Sequence, residues 1–306
     1  MADDEDDSST PTYDDSPGSL ITRDGQVQWG GLLIGPGTPF RIDRQGVTGW
    51  ADLPGLDSTD ANRPTAHGAW PGARWAQPRT VSASVWVLPD SSADPGASLD
   101  AFVRATSADD TEQWLAVRVH GRTTAVQARI AQRVVPNDGI YATSGVAKAS
   151  VQWIAADPRR YDTEQRSTSI GLPQAGAGFS YPVLYPLDYG DLPEMGSAVA
   201  VNGGNTDTSP QVVFTGPVTR PRLINHATGR TLEYDLKLAA GDQLIVDTTE
   251  GTVLLGGSAS RLHTATTGSS PEQSFVLRPG DNQLDFRALE GGDTADVQVT
   301  WRSALL

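Results

Sequence analysis

Short apolar runs separated by glycine- and proline-containing turns recur along almost the whole chain. Val27 to Trp29, Leu32 to Ile34, Phe40 to Ile42 and Val47 to Trp50 are the first of them. In Thr80 to Leu88 the residues Val81, Ala83, Val85 and Val87 fall on one face and Trp86 on the other. Trp114 to His120 repeats the pattern with Leu115, Val117 and Val119, and Ala125 to Val135 and Val146 to Trp153 follow. In the second half Ala198 to Val201, Gln211 to Phe214 and Arg222 to Ile224 precede Leu232, Tyr234, Leu236 and Leu238, which alternate with Glu233, Asp235 and Lys237. A period of two marks a strand with one wet face. Strands this short, with turn signals every ~8–12 residues, predict an antiparallel sandwich. One helix is predicted, Ser98 to about Ser107, with Ser98 as its N-cap and Leu99, Phe102 and Val103 at helical spacing.

Two passages carry no such pattern. Ala51 to Trp75 is polar and rich in Gly and Pro, the kind of long loop that is functional or disordered. Asp162 to Ser197 reads as a connector; within it Phe179 to Leu187 predicts an extended arm or edge strand, protected from further pairing by Pro182 and Pro186. No repeat of 20 to 50 residues is present, which argues against a solenoid or propeller.

The 306 residues suffice for two domains, and 38 % hydrophobic content supplies a real if lean core. Net charge is −14, unevenly spread: seven acids between Asp3 and Asp15 precede the first arginine, Arg23, and without them 30 acidic residues face 23 basic ones. Residues 1–18 are therefore expected to be a solvated acidic leader. The acidic body argues against phosphate-backbone binding as a main source of affinity. No run of apolar residues is long enough to span a membrane. With no cysteine, the chain has no disulfide, thiolate metal site or cysteine nucleophile.

The search for chemistry nominates no catalytic, cofactor-binding or metal-binding residue. His67, His120, His226 and His263 lie far apart and in no metal-binding spacing. Asp247 to Gly251 lacks the alternating oxygen ligands of a calcium loop and predicts a turn between Ile245 and Val253. Gly203-Gly204 and Gly256-Gly257 are followed by no helix pattern, so they are turn glycines and not phosphate loops. No serine-hydrolase elbow or P-loop occurs. Of eight tryptophans only Trp301 lies in the second half, on a terminal strand where core packing is expected; the other seven predict a core plus subunit contacts.

The order of turns in the second half carries a resemblance. Asn202-Gly203-Gly204-Asn205, Thr208-Ser209-Pro210, Phe214-Thr215-Gly216, Pro221 to Asn225, Thr228-Gly229, Gly241 to Thr248, Leu277 to Asn282 and the strand Val297 to Trp301 succeed one another as in siphophage distal tail proteins. The likeness covers most of 180–306 and extends loosely over the first half, where Asp157-Pro158-Arg159-Arg160-Tyr161 is similar to that family's domain ending.

The resemblance implies a mainly β chain in two domains. Residues 19–162 would form a ring-forming, split β-barrel or sandwich-like N-terminal domain with one helix, and residues 163–306 a galectin-like antiparallel β-sandwich with its connector. It implies a non-enzymatic virion protein at the distal end of a long non-contractile tail, forming a ring, commonly a hexamer, through which DNA passes without specific binding. Its partners would be further copies of itself, the tail tube protein and the tail-tip hub, with the tape measure protein and receptor-binding or side-fibre proteins nearby. The resemblance also places Ala51 to Trp75 and the strand after it near the ring's contact surface. The rival readings are a carbohydrate-binding sandwich, which needs exposed aromatic platforms, and a cell-wall hydrolase.

Overall fold

The computed structural model describes residues 16–89, 96–136, 138–173 and 196–306. The acidic leader as far as residue 15, and Phe179 to Leu187 with its prolines, lie outside these. Backbone contacts divide the chain into two compact units, 1–163 with Leu306, and 164–305.

The first unit contains β1 (Val27–Trp29), β2 (Leu32–Ile34), β3 (Phe40–Thr48), β4 (Leu56–Ser58), β5 (Ala61–Asn62), β6 (Ala69–Trp70), β7 (Arg74–Ala76) and β8 (Arg79–Val87). After these come α1 (Ala97–Ala105), β9 (Gln113–Val119), β10 (Arg122–Val134), α2 (Gly139–Ser144), β11 (Ala147–Ala155) and β12 (Arg160–Asp162). The sheet order is β2-β1-β9-β10-β11-β8-β3, antiparallel throughout, with β12 also pairing β10. β10 makes the curl possible: its first half pairs with β9 and its second with β11, a register shift lying between Ile130 and Gln132. The sheet's two end strands, β2 and β3, are consecutive in sequence and joined by a short turn in which Gly35 N donates to Phe40 O at 2.7 Å. The result is a barrel split between β2 and β3.

Inside it Trp29 and Trp153 meet at 6.1 Å between ring centroids, and Phe102 of α1 sits on Phe40 at 5.7 Å. Trp29 Nε1 and Arg133 donate to the carbonyls of Ala105 and Val103, satisfying acceptors that a helix C-terminus leaves open.

Four expectations are corrected in this unit. α1 starts at Ala97, because Gly96 already has αR geometry; Ser98 is buried in the first turn and does not cap. A second helix, α2, adds to the single helix expected: Asp138 Oδ1 accepts from Ile140 N and Tyr141 N, and Gly145 closes it at φ 69°. Phe40 to Ile42 and Val47 to Trp50 are one irregular strand rather than two, both parts pairing with β8. Finally, 51–75 is not a structureless loop, since it holds β4, β5, β6 and the start of β7.

The second unit contains β13 (Arg166–Gly171), β14 (Ser197–Asn202), β15 (Gln211–Thr215), β16 (Val218–Thr219), β17 (Arg222–Asn225), β18 (Arg230–Glu233), β19 (Lys237–Leu238), β20 (Gln243–Asp247), β21 (Thr252–Leu255), β22 (Ala259–Ser260), β23 (Gly280–Arg287), β24 (Glu290–Gly291) and β25 (Asp296–Trp301). A six-stranded sheet, β13-β25-β15-β20-β21-β22, faces a four-stranded one, β14-β23-β17-β18. Their inner faces share one core, where Phe214 packs on Phe286 and Tyr234 at 5.9 and 6.1 Å. This is an antiparallel sandwich.

Two further expectations change here. β13, placed in the connector because Arg166 to Ser169 are all polar, is an edge strand paired along its length with β25; only Ile170 of it is buried. Leu232 to Leu238 is not one strand. β18 pairs with β17, whereas β19 pairs with β16 in a separate small sheet, so the alternation survives in the burial of Leu232, Tyr234 and Leu238 while the ladder is interrupted.

Candidate interaction surface

Arg79 opens β8 and is only 1 % exposed. Its Nε donates to Pro158 O at 2.8 Å, and one terminal nitrogen donates to Gly49 O, Trp50 O and Asp52 O at 2.9, 2.9 and 2.8 Å. Burial, together with the neighbouring Arg160 charge, lowers its pKa to about 10, so it stays cationic at neutral pH. Gly49 has φ 78°, and a Cβ there would collide with the carbonyl of Thr80. The chain therefore makes a fixed turn before residue 53.

An arm leaves the barrel from this turn. β4 pairs with β7 and, further out, β5 pairs with β6, giving two successive short ladders. Between them Gly72 N donates to Asp60 Oδ1 at 2.6 Å; that bond, with one from Ser58, holds the Asp60 carboxyl below its ordinary pKa. Gln77 Nε2 donates to Asp57 Oδ1 at 2.8 Å near the base. The arm turns large apolar groups outward: Trp70 is 60 % and Trp75 69 % exposed, with Leu53 and Leu56 also exposed. The Arg63 guanidinium lies 4.5 Å from the Trp70 ring centroid.

Beside the arm's base the barrel wall opens into a cavity of ≈ 540 Å³ lined by Pro36, Ile42, Val47, Trp50, Val117 and Val119. Val119 was expected to share the buried face of Leu115 and Val117; it stands at the end of β9, 46 % exposed on this cavity. Asp43 also lines it. Hydrogen bonds from Lys148 Nζ at 2.8 Å, from Arg44 N and from Trp86 Nε1 lower the Asp43 pKa to about 2.

In the second unit the motif residues have structural work. Asn202, Asn225 and Asn282 are fully buried. Asn202 Nδ2 donates to Thr206 O and Leu277 O at 2.8 and 3.1 Å, while its Oδ1 accepts from Gly204 N and Ala304 N. Asn282 Nδ2 donates to Arg278 O and Gly280 O, and its Oδ1 accepts from Arg278 N. Asn225 Nδ2 donates to Val276 O at 3.0 Å. Three turns and the 276–278 passage are thus tied together by amides that act as extra pieces of backbone. Asp247 Oδ1 accepts from Thr249 N and Glu250 N, the expected turn between β20 and β21. Trp301 is buried and donates to Val201 O at 3.0 Å.

The structure does not bring the four histidines together. His67 is in the arm's end turn, His120 in the β9–β10 turn, His263 in a 3₁₀ turn, and His226 lies 3.1 Å from Asp285. Among the described residues no group of three or more His, Asp or Glu side chains is arranged to hold a metal ion. Of the first-half tryptophans, Trp29, Trp50 and Trp153 are core, while Trp70 and Trp75 are exposed. Sequence reasoning missed Arg79: it appeared only as the residue before a strand, and a lone arginine there gives no sign of burial.

The fold and its surfaces define a β protein of two units with an outward-facing apolar arm. Residues 203–304, a third of the chain, match the family model described as siphovirus-type tail component, C-terminal domain. The Dit protein of phage SPP1, described as a paradigm of the hub adsorption apparatus in phages infecting Gram-positive bacteria, is 13 % identical with a TM-score of 0.59; the likeness covers 87 % of this chain and 94 % of that one. A chain of the phage p2 baseplate in its activated conformation with Sr is 11 % identical with a TM-score of 0.51, covering 90 % and 96 %. No curated protein matches in sequence. The resemblance drawn from the order of turns is borne out, and the mainly β, distal-tail-protein-like fold with it.

Proposed function

We propose that this chain is a structural component at the distal end of a siphophage tail, where copies of it form a closed ring, commonly a hexamer in proteins of this kind. The ring joins the tail tube to the tail-tip hub and leaves a lumen for DNA; receptor-binding and tape measure proteins are its further neighbours. The observation that carries this reading is the tail-component match over 203–304 combined with a fold likeness running through both units. The exposed arm tryptophans support association in particular, since aromatic residues and arginine are enriched where protein surfaces meet. The role is mechanical and non-enzymatic.

A glycan-binding second unit gains no support, because every Phe, Tyr and Trp of that unit among the described residues is buried. Light scattering on the purified chain tests the proposal. A discrete, concentration-stable mass of several subunits is expected, and a monomer persisting at high concentration would contradict it.

A further inference from the structure

Among the described residues, the buried side-chain nitrogen and oxygen atoms left without a hydrogen-bond partner are all N–H donors of the first unit: Arg79 Nη2, Trp153 Nε1 and Arg160 Nε. The fold gathers their residues at one end of the barrel. Arg79 pairs with Ala155 across β8 and β11, and Trp153 lies two residues along on the same inward face, opposite Val81. Arg79 Nε donates to Pro158 O at 2.8 Å, which sets its guanidinium beside the chain two residues ahead of Arg160. We infer that these donors hold a small inorganic anion, a halide or a phosphate-type oxyanion, as a buried counter-ion for the two guanidiniums.

The chemistry of the donor set selects the occupant. Guanidinium and indole nitrogens donate and never accept, so whatever they bind must bring lone pairs. A water would bring two further hydrogens among them, whereas an anion only accepts. Charge points the same way. A buried cation is costly unless an opposite charge compensates it, and the carboxylates of this end are already engaged. Asp157 accepts from Arg159 Nε at 2.9 Å and from the Tyr161 hydroxyl, and Asp162 accepts from Arg122 Nη2 at 2.8 Å. The Asp52 carboxylate accepts from Gly49 N at 3.1 Å; its charge favours the Arg79 cation, but less strongly than burial and the Arg160 charge disfavour it. Among the described residues neither Arg79 nor Arg160 forms an ion pair with a carboxylate.

The donor atoms have no solvent-exposed surface, which suits a compact, dehydrated ion and leaves no room for a macromolecular ligand. Arg160 is itself partly exposed and gives the ion its entry from solvent. The same Arg79 guanidinium grips the carbonyls of Gly49, Trp50 and Asp52, so an anion that fixes it also steadies the turn from which the arm departs. The site stands whether or not copies of the chain assemble.

Thermal unfolding of the full chain tests it, with the protein dialysed free of chloride and phosphate and held at constant ionic strength by gluconate. Chloride and phosphate replace gluconate in separate series. Tm should rise saturably in at least one, by roughly 5–10 °C at ~100-fold over the Kd, and the ion with the lower half-saturating concentration is the better fit. Arg160→Gln, at a partly exposed position, removes the charge and should raise that concentration at least ~10-fold. Arg230→Gln, at an exposed position of the second unit, should respond as the parent does. Crystals grown in bromide should show an anomalous peak within hydrogen-bond distance of Arg79 Nη2 and Arg160 Nε. A Tm indifferent to both anions, an undiminished response in Arg160→Gln, or a water in place of the bromide peak would overturn the site.

Discussion

Asn225 donates from Nδ2 to Oδ1 of Asn282 at 3.3 Å, and neither residue reaches solvent. The two belong to turns more than fifty residues apart, and both end sequence motifs that mark the tail-component domain. Buried amides that satisfy backbone groups are costly to replace, because each orphaned donor or acceptor forfeits its hydration without return. In Asn282→Ala the carbonyls of Arg278 and Gly280 and the amide of Arg278 lose their partner. Urea unfolding should show a loss of about 3 kcal/mol. A loss below ~1 kcal/mol would mean that water replaces the side chain.

Arg79→Met keeps much of the side chain's bulk and removes its donors. The carbonyls of Pro158, Gly49, Trp50 and Asp52 then lie without their guanidinium. A destabilisation of roughly 3 kcal/mol is expected, with faster chymotryptic cleavage after Trp75 as the arm loosens. Unchanged cleavage would show that the arm is held by its own ladders alone.

The Asp43 carboxyl provides a pH test. Its folded pKa of about 2 lies below the ordinary 3.8, so its contribution to stability is fully present above pH 3.8 and is lost as pH falls through about 2. Asp43→Asn should therefore lower Tm at neutral pH and converge with the parent chain at the acid end. Parallel Tm curves down to pH 2 would show that the Lys148 pair carries no such linkage.

Asp247 is placed to organise a turn, accepting from Thr249 N and Glu250 N. Calcium or a chelator should leave Tm unchanged, while Asp247→Ala should cost about 1 kcal/mol through the lost turn bonds. A calcium-dependent rise in Tm that Asp247→Ala abolishes would reassign the loop.

How much of the fold the residue pattern reveals depends on where water enters. β8 and β11 each have one wet face, so Val81, Val85, Val151 and Trp153 advertise them by alternation. β13 gives no such signal: it is a polar edge strand, held by backbone bonds to β25. The arm was illegible because its ladders are only two or three residues long and its base is fixed by Arg79, a residue outside it. The three motif asparagines were legible as a family signature, whereas their role depends on burial that no local pattern encodes. Tyr234 kept its apolar phase while the ladder broke beside it, because the core needs its ring and the next strand pairs elsewhere.

Electron microscopy of the purified chain, viewed down the particle axis, tests the central claim most directly. The account predicts closed rings of several subunits with an open lumen. Fields of single-subunit particles at assembly concentrations, or open filaments without closure, would contradict it.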